Sequence, residues 1–264
     1  QQHIPFRLLR QSQLEYHNKE LVRAIMATFK TKMASYDQAF SEVAQKFKLS
    51  YFNEHQTNAI LTFIKEKRDI FVNLPTGFGK SIIFQALPLI LDRLFYERTR
   101  QDGQGHIVAV VSPLLNLIVE QIRNLMDLGI KAVNLSDVES NEDIRKVERG
   151  WFSVVYGTPE AWLKNRRWRD MLTNTTYASK LCALAIDEAH VIKQWGISTN
   201  NNLVAFRECY CRLHEFRSLA PTVHIIALTA TATKTTRETI FDVLLMDNPY
   251  VIFESPNKKN SIFG

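Results

Sequence analysis

Cysteine is scarce, long apolar runs are missing and no segment repeats itself along these 264 residues. The three cysteines are Cys182, Cys209 and Cys211. So small and odd a number excludes a disulfide framework and points to a reducing, intracellular compartment. Cys209 and Cys211 have no second pair nearby and do not read as a zinc site. No apolar run approaches the ~18–20 residues of a membrane-spanning helix, so no membrane partner is expected. Nine glycines and eight prolines are too few for a collagen-like or low-complexity chain. Charge is nearly balanced: 33 Lys and Arg against 27 Asp and Glu leave a net +6, which suits an anionic partner but equally an ordinary solvated surface. The opening Gln1-Gln2-His3-Ile4-Pro5 has neither an initiating Met nor a signal-peptide pattern, and reads as the start of an excised piece. What is present in quantity is apolar material, 45% of the chain, enough for one large domain or two small ones.

Residues 1–45 read as a helical N-terminal extension that docks on the main domain. Leu14, Leu21, Ile25, Phe29 and Met33 share one helical face, and Phe40, Val43, Ala44 and Phe47 mark a second helix. From about residue 68 short β-rich runs alternate with longer amphipathic stretches. The runs are Ile70–Leu74, Ile107–Ser112, Ala132–Leu135, Phe152–Tyr156, Leu181–Ile186, His224–Leu228 and Tyr250–Phe253. Helices are predicted near 81–97, 114–127, 141–149, 159–172, 203–219 and 234–245. This alternation implies an α/β fold, a mainly parallel sheet with helices on both faces. Val108-Ala109-Val110-Val111 is continuously apolar, as a strand buried on both sides requires. Ligands of such sheets sit beyond the carboxyl ends of the strands, so chemistry should follow directly after a run. The polar stretches 98–105 and 198–202 read as surface loops.

Two segments meet that expectation. Asn73-Leu74-Pro75-Thr76-Gly77-Phe78-Gly79-Lys80-Ser81 follows a predicted strand and opens a predicted helix, the setting of a phosphate-binding loop. Glycines there let backbone N–H groups face phosphate oxygens, and the helix N-terminus adds partial positive charge. Lys80 suits the β and γ phosphates, and the Ser81 hydroxyl suits Mg²⁺. Leu74 stands where the general pattern has its first glycine. Ala185-Ile186-Asp187-Glu188-Ala189-His190 follows another strand, with one carboxylate to hold a metal's water shell and a second to orient an attacking water. Each segment alone also has a plain structural reading, a glycine-rich turn and an acidic helix cap. Arg166-Arg167-Trp168-Arg169 is a basic cluster with an aromatic, readable as a nucleic-acid contact or as a solvated helix face.

Together these residues resemble the DEAH-type branch of the superfamily 2 helicases. Asp187-Glu188-Ala189-His190 matches the box that names it, and Pro75–Ser81 matches its phosphate loop, which tolerates a non-glycine first position. His190-Val191-Ile192-Lys193-Gln194-Trp195-Gly196 is similar to the aromatic-rich loop of RecQ helicases. So are Val111-Ser112-Pro113-Leu114-Leu115-Asn116-Leu117, Tyr156-Gly157-Thr158-Pro159-Glu160 and Ala227-Leu228-Thr229-Ala230-Thr231-Ala232-Thr233, in the family's order over roughly residues 43–262.

The resemblance implies a P-loop RecA-like lobe over 46–256, with 257–264 as the start of a linker to a second lobe. It implies ATP and Mg²⁺ as cofactors and single-stranded or forked DNA as partner. By the same resemblance the enzyme is a 3′–5′ DNA helicase of DNA repair and recombination, nuclear in a eukaryote. Lys80, Asp187, Glu188 and His190 take the catalytic positions. Phe52, Gln56, Thr76, Gly77, Phe78, Gly79, Lys80 and Ser81 take the nucleotide positions, with Gln56 reading adenine. Ser81 and Asp187, the latter through water, take the metal. Ser112, Pro113, Asn116, Thr158, Pro159, Trp195, Phe206 and Arg207 take the DNA positions, and Gln194, Thr229 and Thr231 couple the two sites. Three departures stand out: Asn53 replaces a usual arginine, Leu49 an adenine-stacking tyrosine, and about eight extra residues follow Gly196. A lobe without its partner's arginine is expected to turn ATP over negligibly. Two other readings remain: a nucleic-acid-binding module with a decayed nucleotide site, and an RNA helicase.

Overall fold

A computed structural model describes residues 35–95, 105–196 and 209–254. Its centre is one seven-stranded sheet, ordered β3-β4-β2-β5-β6-β1-β7. The strands are β1 (Ile70–Asn73), β2 (Ile107–Val111), β3 (Ala132–Asn134), β4 (Val154–Gly157), β5 (Leu181–Ile186), β6 (Ile225–Thr229) and β7 (Tyr250–Phe253). Every pairing is parallel. All seven coincide with the apolar runs read from the sequence, within two residues at each end.

Strand periodicity divides the interior into two layers. Ile70, Val72, Val108 and Val110 point to one face. They meet α1 (35–46), α2 (Glu54–Glu66), α3 (Lys80–Phe95) and α4 (Leu115–Asp127). Phe71, Ile107, Ala109 and Val111 point to the other. They meet α5 (Asn141–Glu148), α6 (Pro159–Leu163), α7 (Arg166–Met171), α8 (Thr175–Lys180), α9 (Val191–Gly196), α10 (209–211), α11 (Glu215–Leu219) and α12 (Lys234–Leu244). Both faces are dry, which is why the strands read as unbroken apolar runs.

Of the predicted N-terminal extension, α1 lies within the described residues. It packs Ala39, Val43, Ala44 and Phe47 into the first layer and runs unbroken past residue 45. The face formed by Leu14 to Met33 lies outside the described residues.

Two helix expectations are corrected. The stretch 159–172 is not one helix, because Asn165 restarts it: its side chain accepts a hydrogen bond from Arg167 N at 3.0 Å, so the chain leaves α6 and re-enters helix as α7. Asn174 then caps α8, which the sequence reading did not foresee. The stretch 203–219, described from 209, breaks into α10 and α11 at a turn over 212–214.

Candidate functional site

Three neighbouring strands, β5, β6 and β1, end on the same edge of the sheet, and each end carries one of the singled-out segments. The loop after β1 runs from Leu74 to Gly79 and feeds α3. Leu74 is fully buried and its N–H donates to the Thr229 carbonyl at 3.2 Å. A core side chain thus fixes the start of the loop, where the general pattern would place glycine. Gly77 and Gly79 have φ of +89° and +68°, and a Cβ on Gly79 would lie 2.6 Å from Gln56 Nε2. Thr76 and Gly77 are exposed, and Phe78 and Ser81 half-buried. Lys80, nine-tenths buried, donates from Nζ to the Pro75 carbonyl at 3.2 Å. Its ammonium therefore sits within its own loop, where an entering phosphate would find it.

Across β6 lies the acidic box. Asp187 N–H donates to Val111 O at 2.9 Å and Ala189 N–H to Leu228 O at 2.8 Å. Those two bonds hold Glu188 between them at φ +50°, a left-handed conformation that costs a non-glycine residue about 1 kcal/mol and survives where flanking bonds impose it. Burial pushes the Asp187 carboxyl above the ordinary carboxylate range, and the Glu188 charge adds to this. Donation from Gln121 and the Glu188 N–H, with the Lys80 charge, pulls it back. Glu188 is held low, first by its hydrogen bond to His190 and further by the charges of His190 and Lys80. Lys80 thus acts on both carboxylates: loop and box share one electrostatic site.

His190 joins the box to β6. Its Nδ1 lies 3.1 Å from Thr229 Oγ1 and 3.2 Å from Glu188 Oε2. The Thr229 hydroxyl donates to Thr231 O at 3.1 Å and accepts from Thr231 N. Its proton is therefore spent, and the histidine tautomer that fits carries hydrogen on Nδ1 and donates to both oxygens. Beside this knot, His190, Lys193, Gln194, Thr231, Thr233 and Thr236 line a cavity of about 380 Å³.

The remaining expected residues fall into three groups. Gln56 reaches the loop: Nε2 donates to Gly79 O at 3.1 Å, while Oε1 accepts from Asn53 N at 2.9 Å in a capping box. One N–H and one lone pair remain, the pattern an adenine edge requires. Asn53, which stands in for an arginine, is the N-cap of α2 and also donates to Phe78 O at 3.4 Å.

A second group makes contacts within the fold. Phe52 is buried, packs edge-on to Phe40 at 5.8 Å, and lines a cavity between α1 and α2 to which the phosphate loop does not contribute. Leu49 packs against the core. Ser112 is fully buried and Pro113 buried, while Leu114 and the first residues of α4, Leu115 and Asn116, are exposed. Thr158 caps α6 by accepting from Ala161 N at 3.2 Å, with buried Pro159 as the first helical residue. In the basic cluster Trp168 is core, Arg166 pairs with Asp170, Arg167 with Glu148 and Arg169 with Glu215, which is the solvated-face reading.

The third group cannot be located. Trp195 belongs to α9, but its side chain, like Phe206 and Arg207, lies outside what is described.

Sequence reasoning missed three residues. Gln121 donates from Nε2 to Asp187 Oδ2 at 3.0 Å. Tyr156 donates to Gln121 Oε1 at 2.9 Å, and Gln85 Nε2 donates to both Tyr156 Oη and Gln121 Oε1 at 2.9 and 3.1 Å. The available signal was polarity in apolar company: Gln85 interrupts Ile82-Ile83-Phe84 and Ala86-Leu87, and Tyr156 closes a valine run.

The chain is similar to known proteins. The profile of the DEAD/DEAH box helicases matches residues 53–239. The ATP-dependent helicase SGS1 of Saccharomyces cerevisiae is 30% identical over 229 residues, 85% of this chain and 15% of that protein. The ATP-dependent DNA helicase Q-like 2 of Arabidopsis thaliana is 31% identical over 224 residues, covering 83% and 29%. The ATP-dependent DNA helicase Q5 of Rattus norvegicus is 31% identical over 214 residues, covering 79% and 20%. The chain thus spans less than a third of the length of these relatives. The crystal structure of the Hef helicase domain of Pyrococcus furiosus superposes with a TM-score of 0.50 at 18% identity, over 74% of this chain and 38% of that one, a likeness of fold.

Proposed function

The chain belongs to the DEAD/DEAH box helicases, and from that premise we propose that it is the ATP-binding RecA-like lobe of a RecQ-type DNA helicase, one that couples ATP hydrolysis to movement along single-stranded DNA and separation of a duplex. The observation that carries this is the convergence of Lys80, Asp187, Glu188 and the His190–Thr229 pair on three adjacent strand ends. Relatives named as ATP-dependent DNA helicases support the substrate and the nucleic acid.

The residues divide the chemistry. Gly77 and Gly79 turn the loop so that its backbone N–H groups can surround phosphate oxygens. Lys80 exchanges the Pro75 carbonyl for the β and γ phosphates and neutralises charge there. Glu188, kept ionised by His190, accepts a proton from water and aligns it for attack on the γ phosphorus. The half-buried Ser81 hydroxyl and the Asp187 carboxylate are a hard oxygen pair that fits Mg²⁺, an ion that keeps most of its water and takes few protein ligands. When bound, that ion neutralises phosphate charge during transfer. His190 and Thr229 link the box to the Thr229–Thr233 segment and to Gln194 in the adjoining cavity, the route by which hydrolysis reaches the nucleic-acid side.

A second lobe of the longer protein supplies the arginine that completes the site, and the cellular setting is the nucleus in a eukaryote, in DNA repair and recombination. A fluorescent ATP analogue titrated into the chain tests the nucleotide site. Lys80→Ala should weaken binding by on the order of tenfold to a hundredfold, the worth of a charged hydrogen-bond donor. Equal binding by the two proteins overturns the motor reading in favour of a decayed site. In the full-length protein, ATPase stimulation by single-stranded DNA over RNA is expected, and the reverse preference would make it an RNA helicase.

A further inference from the structure

Gln121, Tyr156 and Gln85 lie on α4, β4 and α3, and none belongs to the phosphate loop or the acidic box. Their hydrogen bonds nevertheless end on the Asp187 carboxylate. The amide of Gln121 has one orientation available. Oε1 already accepts from the Tyr156 hydroxyl and from Gln85, so the donor end must face Asp187. Burial fixes the arrangement further: Tyr156 is fully buried, Gln85 is 7% exposed and Asp187 5% exposed. The second carboxylate oxygen, Oδ1, accepts from the Glu188 N–H at 3.1 Å. Each oxygen is thus held by one donor, and the carboxylate plane, otherwise free about a soft terminal torsion, is set.

We propose that Gln121 is a positioning residue for Asp187. It fixes the carboxylate plane so that the remaining lone pairs face the loop of Lys80, and Tyr156 and Gln85 hold the Gln121 amide in the orientation that does so. This rests on the nucleotide-site reading above and deepens it. It also gives the two neighbouring strand ends a connection to the metal carboxylate. Gln121 lies on α4, which begins at the exposed Leu115 and Asn116 shortly after β2, and Tyr156 immediately precedes Gly157 and Thr158.

The experiment is binding of a fluorescent ATP analogue to the chain, measured across a Mg²⁺ series and again in EDTA. Gln121→Met keeps length and removes the donor. The Mg²⁺ midpoint should rise about tenfold, the lower end of what loss of a residue orienting a metal ligand costs. The affinity in EDTA, which depends on Lys80 and the loop, should stay within about twofold. Tyr156→Phe keeps the ring and removes one of the two donors to Gln121 Oε1, leaving that of Gln85, and its midpoint should rise about threefold. A role confined to packing would lower the melting temperature without moving the midpoint. Folded variants with wild-type midpoints overturn the proposal. If Gln121→Met does not fold, Tyr156→Phe decides by the same criterion. A wild-type chain whose binding ignores Mg²⁺ takes down the nucleotide-site reading and this inference with it, whereas unshifted variants beside a responsive wild type take down this inference alone.

Discussion

Two glycines in one loop separate backbone freedom from space. Gly77 and Gly79 both have positive φ, but a Cβ at Gly77 meets nothing within 4 Å, whereas one at Gly79 meets Gln56 Nε2 at 2.6 Å. Gln56 cannot swing aside freely, since its other end belongs to the capping box with Asn53. Gly77→Ala should therefore cost about 1 kcal/mol from φ alone, and Gly79→Ala about 2–3 kcal/mol with displacement of Gln56. Urea denaturation of both variants checks the difference, and equal losses would mean that Gln56 yields. The box offers a pH test. His190 holds the Glu188 carboxyl low, so its ionisation contributes stability at neutral pH that is lost only as pH falls through that depressed value. In His190→Ala the folded-state value returns toward that of the unfolded chain, so this contribution is smaller at neutral pH and less of it is left to lose on acidification. Asp187 acts in the opposite sense: its value is raised, so protonation on acidification removes a cost. Melting temperatures from about pH 7 to pH 3 should show His190→Ala below wild type at neutral pH and the two curves converging on acidification, and parallel curves would deny the Glu188–His190 coupling.

Helices and strands differed in how far the sequence revealed them, for a physical reason. The five inner strands are buried on both faces almost throughout, so their runs of Val, Ile, Leu and Ala are a local signal that survives without tertiary knowledge. Helix boundaries instead depend on which polar side chain turns back on the backbone. Asn165 and Asn174 look alike in sequence to any surface asparagine, yet the first cuts an expected helix in two and the second starts a helix that was not expected. Asn53 shows the same ambiguity from the other side. In sequence it is only a departure from a usual arginine, and in the fold it caps α2 and ties that helix to the phosphate loop through Phe78 O. Asn53→Ala should cost about 1 kcal/mol of stability by chemical denaturation and loosen Gln56 as well. An unchanged midpoint would show that the capping box carries no weight. Lys80, Asp187 and Glu188 were legible because each belongs to a short segment that is continuous in sequence. Gln121 was not, since it reaches Asp187 across 66 positions and only packing brings it there.

Sheet order is what turns separate sequence segments into one site. β6 enters between β5 and β1, so a segment ending at Thr229 bridges loops that leave the chain near residues 74 and 187. The same order makes the nucleotide site a property of the whole fold. It draws on α3, β5 and β6, and both core layers meet at those strands. A ligand held there binds the folded chain and not the unfolded one, so it stabilises the domain by RT ln(1 + [L]/Kd), about 2.7 kcal/mol at a hundredfold excess over Kd. For a domain of this size that corresponds to a rise of roughly 5–10 °C in melting temperature. The rise should appear as a displacement of one cooperative transition and should need Mg²⁺ with the nucleotide. It should vanish in Lys80→Ala, whose apo melting temperature should stay close to wild type, because the lysine's hydrogen bond to the Pro75 carbonyl is local to the loop. A shift that persisted in Lys80→Ala would place the stabilising contact elsewhere on the molecule. A transition that split in two would mean that the β5–β6–β1 edge does not fold and bind as a unit.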